Sequence, residues 1–122
     1  MSLVPLSATV SEARLQTELW VMAHLRRCAV AGIPAVLVRR GAQDGATVLV
    51  KINQLEAGCR VLSQVRDLDG RLGWLPALAG RLVVEVEADA YVARAVDRDP
   101  DLWGIEIEDR KGDMPFDGKI LK

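Results

Sequence analysis

The chain has 122 residues, half of them hydrophobic, with 17 acidic and 16 basic side chains. That is the size of one ordinary domain, able to bury a core without staples. A near-neutral balance argues against a general polyanion binder, and no apolar run approaches the roughly 18 residues that would span a membrane.

Residues 1–10 read as a loose leader, without the positive n-region of a signal peptide, which places the chain in the cytoplasm. Residues 11–110 read as one domain. Ser11 can cap a helix running from Glu12 to about Ala31, with Arg14 where a capping box would want an acid. Leu15, Leu19, Met22, Ala29 and Val30 form its apolar stripe, widened by Leu25. Gly32 stops the helix and Pro34 prevents its resumption.

Val36 and Val38, then Val48, Val50 and Ile52, alternate with other residues at the period of strands. The connection between them carries Gly41 and Gly45, so the two strands are expected to pair as a hairpin, Val38 against Val48. Cys59–Asp67 reads as a third strand with Val61 and Val65 inward. Asp69-Gly70 returns the chain through Arg71–Leu75, with Trp74 opposite Val65. Glu85–Arg98 reads as a second helix, with acids in its first turn and a stripe of Ala88, Tyr91, Val92 and Ala95. Trp103, Ile105 and Ile107 alternate in a last strand, and residues 111–122 read as a flexible tail. The expected fold is α+β: a two-layer domain of order α-β-β-β-β-α-β, with two helices on one face of an antiparallel four- to five-stranded sheet.

The other sheet face would then carry Leu37, Arg39, Leu49, Lys51, Arg60, Leu62, Gln64 and Arg66. Either it is solvated, with Glu106 or Glu108 paired to Arg39 or Lys51, or Leu37, Leu49 and Leu62 form a contact patch. On the first helix Trp20, His24 and Arg27 fall away from the leucine stripe. They form a candidate binding face, unless the leader or the tail covers it.

Motifs for known chemistry fail on inspection. Asp97, Asp99, Asp101 and Glu108 match four positions of a calcium loop, but Leu102 stands where the loop needs glycine and Pro100 interrupts it. One histidine and two distant cysteines make no zinc site, and Cys28 and Cys59 read as small buried hydrophobes. His24 and Cys28 share a helix at i, i+4 without the electropositive setting of a nucleophile. No Walker loop is present, and Leu78–Leu82 lacks the repeated glycines with which acetyltransferases cradle pyrophosphate. Arg26-Arg27 and Arg39-Arg40 are basic pairs, and aromatics that could stack on bases are scarce.

Several strings nonetheless recur together: Glu18-Leu19-Trp20-Val21, Leu25-Arg26-Arg27-Cys28, Gly32-Ile33-Pro34-Ala35 and Val38-Arg39-Arg40-Gly41. Further on come Ala88 through Arg94, Asp99-Pro100-Asp101-Leu102-Trp103 and Glu106 through Arg110. Over about residues 12–110 the chain resembles a bacterial family, domain of unknown function 1491, seen mainly in alphaproteobacteria. The resemblance implies a single-domain cytoplasmic protein and carries no activity with it. The reading is therefore a small interaction module without catalytic activity or cofactor, self-associating or bound to a protein partner. It would use Trp20, His24 and Arg27 or Leu37, Leu49 and Leu62. The first alternative is a small-molecule or acyl-group enzyme with an anion site near Arg39 and Arg40. The second is weak RNA or ribosome-associated binding.

Overall fold

The computed structural model describes residues 6–43 and 45–121, residues 6–16 by their backbone. The elements are α1 (Leu6–Val30), β1 (Ala35–Arg39), β2 (Val48–Asn53), β3 (Cys59–Arg66), β4 (Leu72–Pro76), α2 (Glu85–Arg98), β5 (Trp103–Glu108) and β6 (Lys119–Ile120). Of the expected leader, residues 1–5 lie outside the described residues, while residues 6–10 are helical. The Ser11 cap and the place of Leu15 in the stripe fall outside the described side chains.

The class is α+β, but the sheet is mixed and has six strands, in the order β1-β5-β2-β3-β4-β6. The expected β1–β2 hairpin does not form. β5 lies between the two strands, antiparallel to β1 and parallel to β2. The loop after β1 therefore has to straddle a strand, which takes two inter-strand spacings of about 4.8 Å. It is stitched down as it crosses. The Ala42 N–H donates to Asp101 O at 3.0 Å, and Trp103 Nε1 donates to Ala42 O at 2.6 Å. Gly41 is required by this approach, since a Cβ there would stand 2.2 Å from Asp101 O. What reads as a turn glycine is a crossing glycine.

The helices cover opposite faces, not the same one. Val48, Val50 and Ile52 of β2 continue through Trp103, Ile105 and Ile107 of β5 and Leu62 and Trp74 of β3 and β4, and α1 packs there with Val21 and Cys28. The reverse face is also apolar where β2 and β3 cross it. Leu49 packs with Ala95 and Leu102, and Cys59 and Val61 pack with Val83 and Ala88, so α2 closes that side. β2 is buried on both faces, which makes it a central strand. Of the four valines expected to point together at the helices, Val48 and Val50 are fully buried, whereas Val36 and Val38 on the edge strand are 56% and 53% exposed.

In the β3–β4 hairpin, Trp74 pairs with Gln64 and Val65 with Gly73, one residue away from the expected register. A shift of one residue exchanges faces. Trp74 therefore lies under α1 beside Leu62, while Val61 goes to α2.

Candidate functional site

The Trp20/His24/Arg27 cluster exists, but on the inner side of α1. The stripe expected to be buried is the outer one: Leu19 is 66% exposed, Met22 37% and Val30 85%. The sheet instead receives Trp20, Val21, Leu25 and Cys28. Trp20 and His24 stack with ring centroids 3.9 Å apart, and Phe116 meets them edge-on at 5.5 and 5.3 Å. The His24 contacts are satisfied by the tautomer protonated on Nδ1. That nitrogen lies 2.8 Å from Trp20 O, and Nε2 accepts from Arg27 Nη1 at 3.2 Å.

The closing pieces come from residues 111–121, the segment read from sequence as a tail. Phe116 is buried, Trp74 Nε1 donates to Asp117 O at 2.8 Å, and Arg27 Nη1 reaches Asp117 Oδ2 at 3.3 Å. β6 then pairs with β4. The chain's own C-terminal segment thus covers the face that Trp20 and His24 would offer a partner.

The Leu37/Leu49/Leu62 patch does not form. Leu37 and Leu62 pack into the α1 core and Leu49 under α2. A row that reads as one face is divided between two: Leu37 lies opposite Ile105 and Leu62 opposite Val50, both on the α1 side, while Leu49 turns to α2. The expected carboxylate partner of Lys51 is present: Glu106 Oε1 lies 3.0 Å from Lys51 Nζ. Two further carboxylates join it from α2, Glu85 at 2.8 Å and Asp89 at 2.6 Å. Burial pulls the Lys51 pKa down, but donation to Asp89, Glu85 and Glu106 outweighs it, and the net shift is upward. The thiols of Cys28 and Cys59 are free and buried; burial pushes both pKa values up, against the setting of a nucleophile.

Arg39 and Arg40 do line a groove, of about 550 Å³, between the sheet and α2. Its walls are mainly apolar, with Val38, Leu49, Val92 and Val96 among them. The basic groups are largely engaged. Arg39 Nη2 donates to Pro100 O at 2.6 Å. Arg40 pairs with Glu18 and stands 5.4 Å above the Trp103 ring. Among the described residues the groove brings together no free converging bases.

On α1 the residues that sequence reading placed wrongly are Leu19, Met22, Ala29 and Val30. The available signal was a second stripe on the same helix, Trp20, Val21, His24, Leu25 and Cys28, which repeats at helical spacing as well as the first. Among the described residues no helix is long and apolar enough to cross a membrane, and no three metal-ligating side chains cluster.

Comparison with known proteins places these features in a family. The DUF1491 model, described as a protein of unknown function, matches residues 15–117. A crystal structure of a DUF1491 family protein from Caulobacter crescentus CB15 superposes with a TM-score of 0.75 at 35% identity, covering 86% of this chain and 97% of that one. An NMR structure of a DUF1491 family protein from the same organism gives 0.74 at 35%, covering 88% and 97%. Protein Atu0922 from A. tumefaciens gives 0.65 at 26%, covering 79% of this chain and 86% of that one. No curated protein matches the sequence.

Proposed function

The chain belongs to the DUF1491 family, proteins of unknown function, and from that premise we propose that it is a non-catalytic interaction module that pairs with a second copy of itself through the outer face of α1. The observation that carries the reading is the exposure of Leu19, Met22 and Val30 on a helix whose other side is already packed on the sheet. Three large apolar side chains on the outer side of this helix have no covering among the described residues.

The spacing along that face favours a copy of the same helix as the cover. Ala8, Glu12, Leu15, Leu19, Ala23, Arg26 and Val30 fall within one stripe about 100° wide at 3.6 residues per turn. The stripe is symmetric about Leu19. Residues 15 and 23, 12 and 26, and 8 and 30 lie at equal distances on either side of it. Two such helices packed antiparallel about a two-fold axis through Leu19 set Leu15 against Ala23, Glu12 against Arg26 and Ala8 against Val30. Apolar positions meet apolar ones, and the one acid meets the one base. An isologous interface requires this self-complementarity.

Sedimentation velocity over a wide concentration range tests the proposal. The wild-type chain is expected to move from monomer to dimer as concentration rises. Arg26→Glu, which sets two acids opposite each other twice per dimer, is expected to weaken pairing more than about tenfold. The double change Glu12→Arg with Arg26→Glu restores complementarity and is expected to recover dimer. A monomer at every concentration, or an Arg26→Glu dimer as tight as wild type, would overturn the proposal.

A further inference from the structure

We infer that His24 is a proton-operated latch on residues 111–121: neutral, it is tied to that segment through Arg27, and protonated, it takes the Asp117 carboxylate itself and holds the segment more tightly. The latch lies on the inner side of α1 and does not depend on pairing of the chain with itself.

The contacts of the ring are those of its neutral form. Nδ1 donates to Trp20 O at 2.8 Å, and Nε2 accepts from Arg27 Nη1 at 3.2 Å. The same Arg27 nitrogen donates to Asp117 Oδ2 at 3.3 Å. One guanidinium nitrogen thus bridges the ring and the carboxylate, and it can donate to Nε2 only while that nitrogen carries no proton. Among the described residues the charged groups facing the ring are Arg27 from its own helix and Asp117 from the closing segment. On this face of β3, Arg60 donates instead to Gly112 O and Arg66 to Gly70 O. β4 and the closing segment add the neutral rings of Trp74 and Phe116.

A proton taken from solvent at Nε2 removes the lone pair and sets a second cation 3.2 Å from Arg27 Nη1. The imidazolium finds all but one of its partners already in place. Nδ1–H keeps Trp20 O, and the ring lies over the Trp20 face, with centroids 3.9 Å apart and planes 21° from parallel, where a cation is favoured. The missing partner is an acceptor for Nε2–H. Asp117 Oδ2 lies 3.7 Å away, and a shift of about 1 Å brings it to a charge-assisted hydrogen bond. Arg27 is the group free to yield, since its side chain is 55% exposed against 9% for that of His24.

An ion as buried as this one is stable only when paired and hydrogen-bonded. His24 meets that condition by drawing the Asp117 carboxylate inward, and Asp117 is built into the closing segment. Its backbone carbonyl accepts from Trp74 Nε1 at 2.8 Å, and the Leu121 N–H donates to Trp74 O at 2.8 Å. Gly118 beside it fits closely, since a Cβ there would stand 3.0 Å from Leu72 O. Proton uptake therefore tightens the cover over Trp20 and Trp74. The neutral form is the one from which the cover lifts more readily.

Hydrogen exchange in the full chain, compared at about pH 7.5 and about pH 5.5, tests the latch, because histidine is the side chain that ordinarily titrates in this window. His24 is the one histidine in the sequence. The Trp74 indole N–H and the Leu121 amide, each corrected for the intrinsic pH dependence of exchange, report how firmly the segment sits. Their protection is expected to be several-fold higher at the acid pH. His24→Gln, which takes up no proton, and Asp117→Asn, which removes an exposed charge, are each expected to abolish the rise. Arg27→Gln is expected to lower protection at the neutral pH alone. Wild-type protection that is equal or lower in acid would overturn the proposal. So would a rise that persists in His24→Gln or Asp117→Asn, or an Arg27→Gln loss of the same size at both pH values.

Discussion

Replacing Lys51 with alanine is expected to lower the unfolding free energy by roughly 2–3 kcal/mol, more than any surface change nearby. Lys51 rises from the centre of the sheet into the first turn of α2. Its ammonium is shared by Glu106 on the adjoining strand and by Glu85 and Asp89 on the helix. Val84 precedes that helix and supplies no side-chain cap, so the ion cluster is the principal polar tie at its start. Removing the cation leaves three carboxylates facing one another. The full cost of breaking a buried pair is discounted because Glu85 and Asp89 are more than half open to solvent, which screens them. Lys51→Met, which keeps the volume, is expected to recover little, since charge rather than packing is lost. The sign of the pH dependence follows from a folded pKa above the ordinary value of 10.5. The unfolded chain releases this proton first as pH rises. The stability that Lys51 contributes is therefore whole through the neutral range and fades above about 10.5. Chemical denaturation of wild type and Lys51→Met at neutral and strongly alkaline pH measures it: the gap between them is expected to narrow only at the alkaline end.

Phe116→Ala is expected to cost about 3 kcal/mol and to expose Trp20. The ring sits among Trp20, His24 and Trp74 and is the anchor of residues 111–121 on the α1 side of the sheet. Without it, the Trp74–Asp117 hydrogen bond and the Arg27–Asp117 pair must hold the segment alone. A red shift of tryptophan emission, together with a lowered denaturation midpoint, is the expected readout. An unchanged spectrum and midpoint would mean that this segment contributes nothing to covering the aromatic cluster.

Much of the local structure was legible in the sequence. The stripe of Ala88, Tyr91, Val92 and Ala95 does face the core, and Trp103, Ile105 and Ile107 do line one side of a strand. What local pattern cannot encode is which strand neighbours which. The alternation of β1 and β2 is equally compatible with pairing to each other or with both pairing to β5. Choosing between them depends on contacts such as Gly41 against Asp101, far apart in the chain. The same limit governs α1. Its two apolar stripes compete, and periodicity cannot rank them. The sheet takes the one bearing Trp20 and His24 because Trp74 and Phe116 offer rings for them to pack against. Leu19, Met22 and Val30 are left outside for that reason, and so the candidate surface appeared only once the fold was in view.

The pairing of α1 with its copy is tested most directly by cross-linking at the axis. Leu19→Cys places one thiol on each side of the two-fold, within the few ångströms that a disulfide spans. The native Cys28 and Cys59 are buried and do not compete. Val30→Cys serves as the control, since antiparallel pairing holds those positions about 33 Å apart at 1.5 Å per residue. Mild oxidation is expected to convert Leu19→Cys to a covalent dimer and to leave Val30→Cys monomeric. A Leu19→Cys chain that stays monomeric, or a Val30→Cys chain that cross-links as readily, would contradict the account.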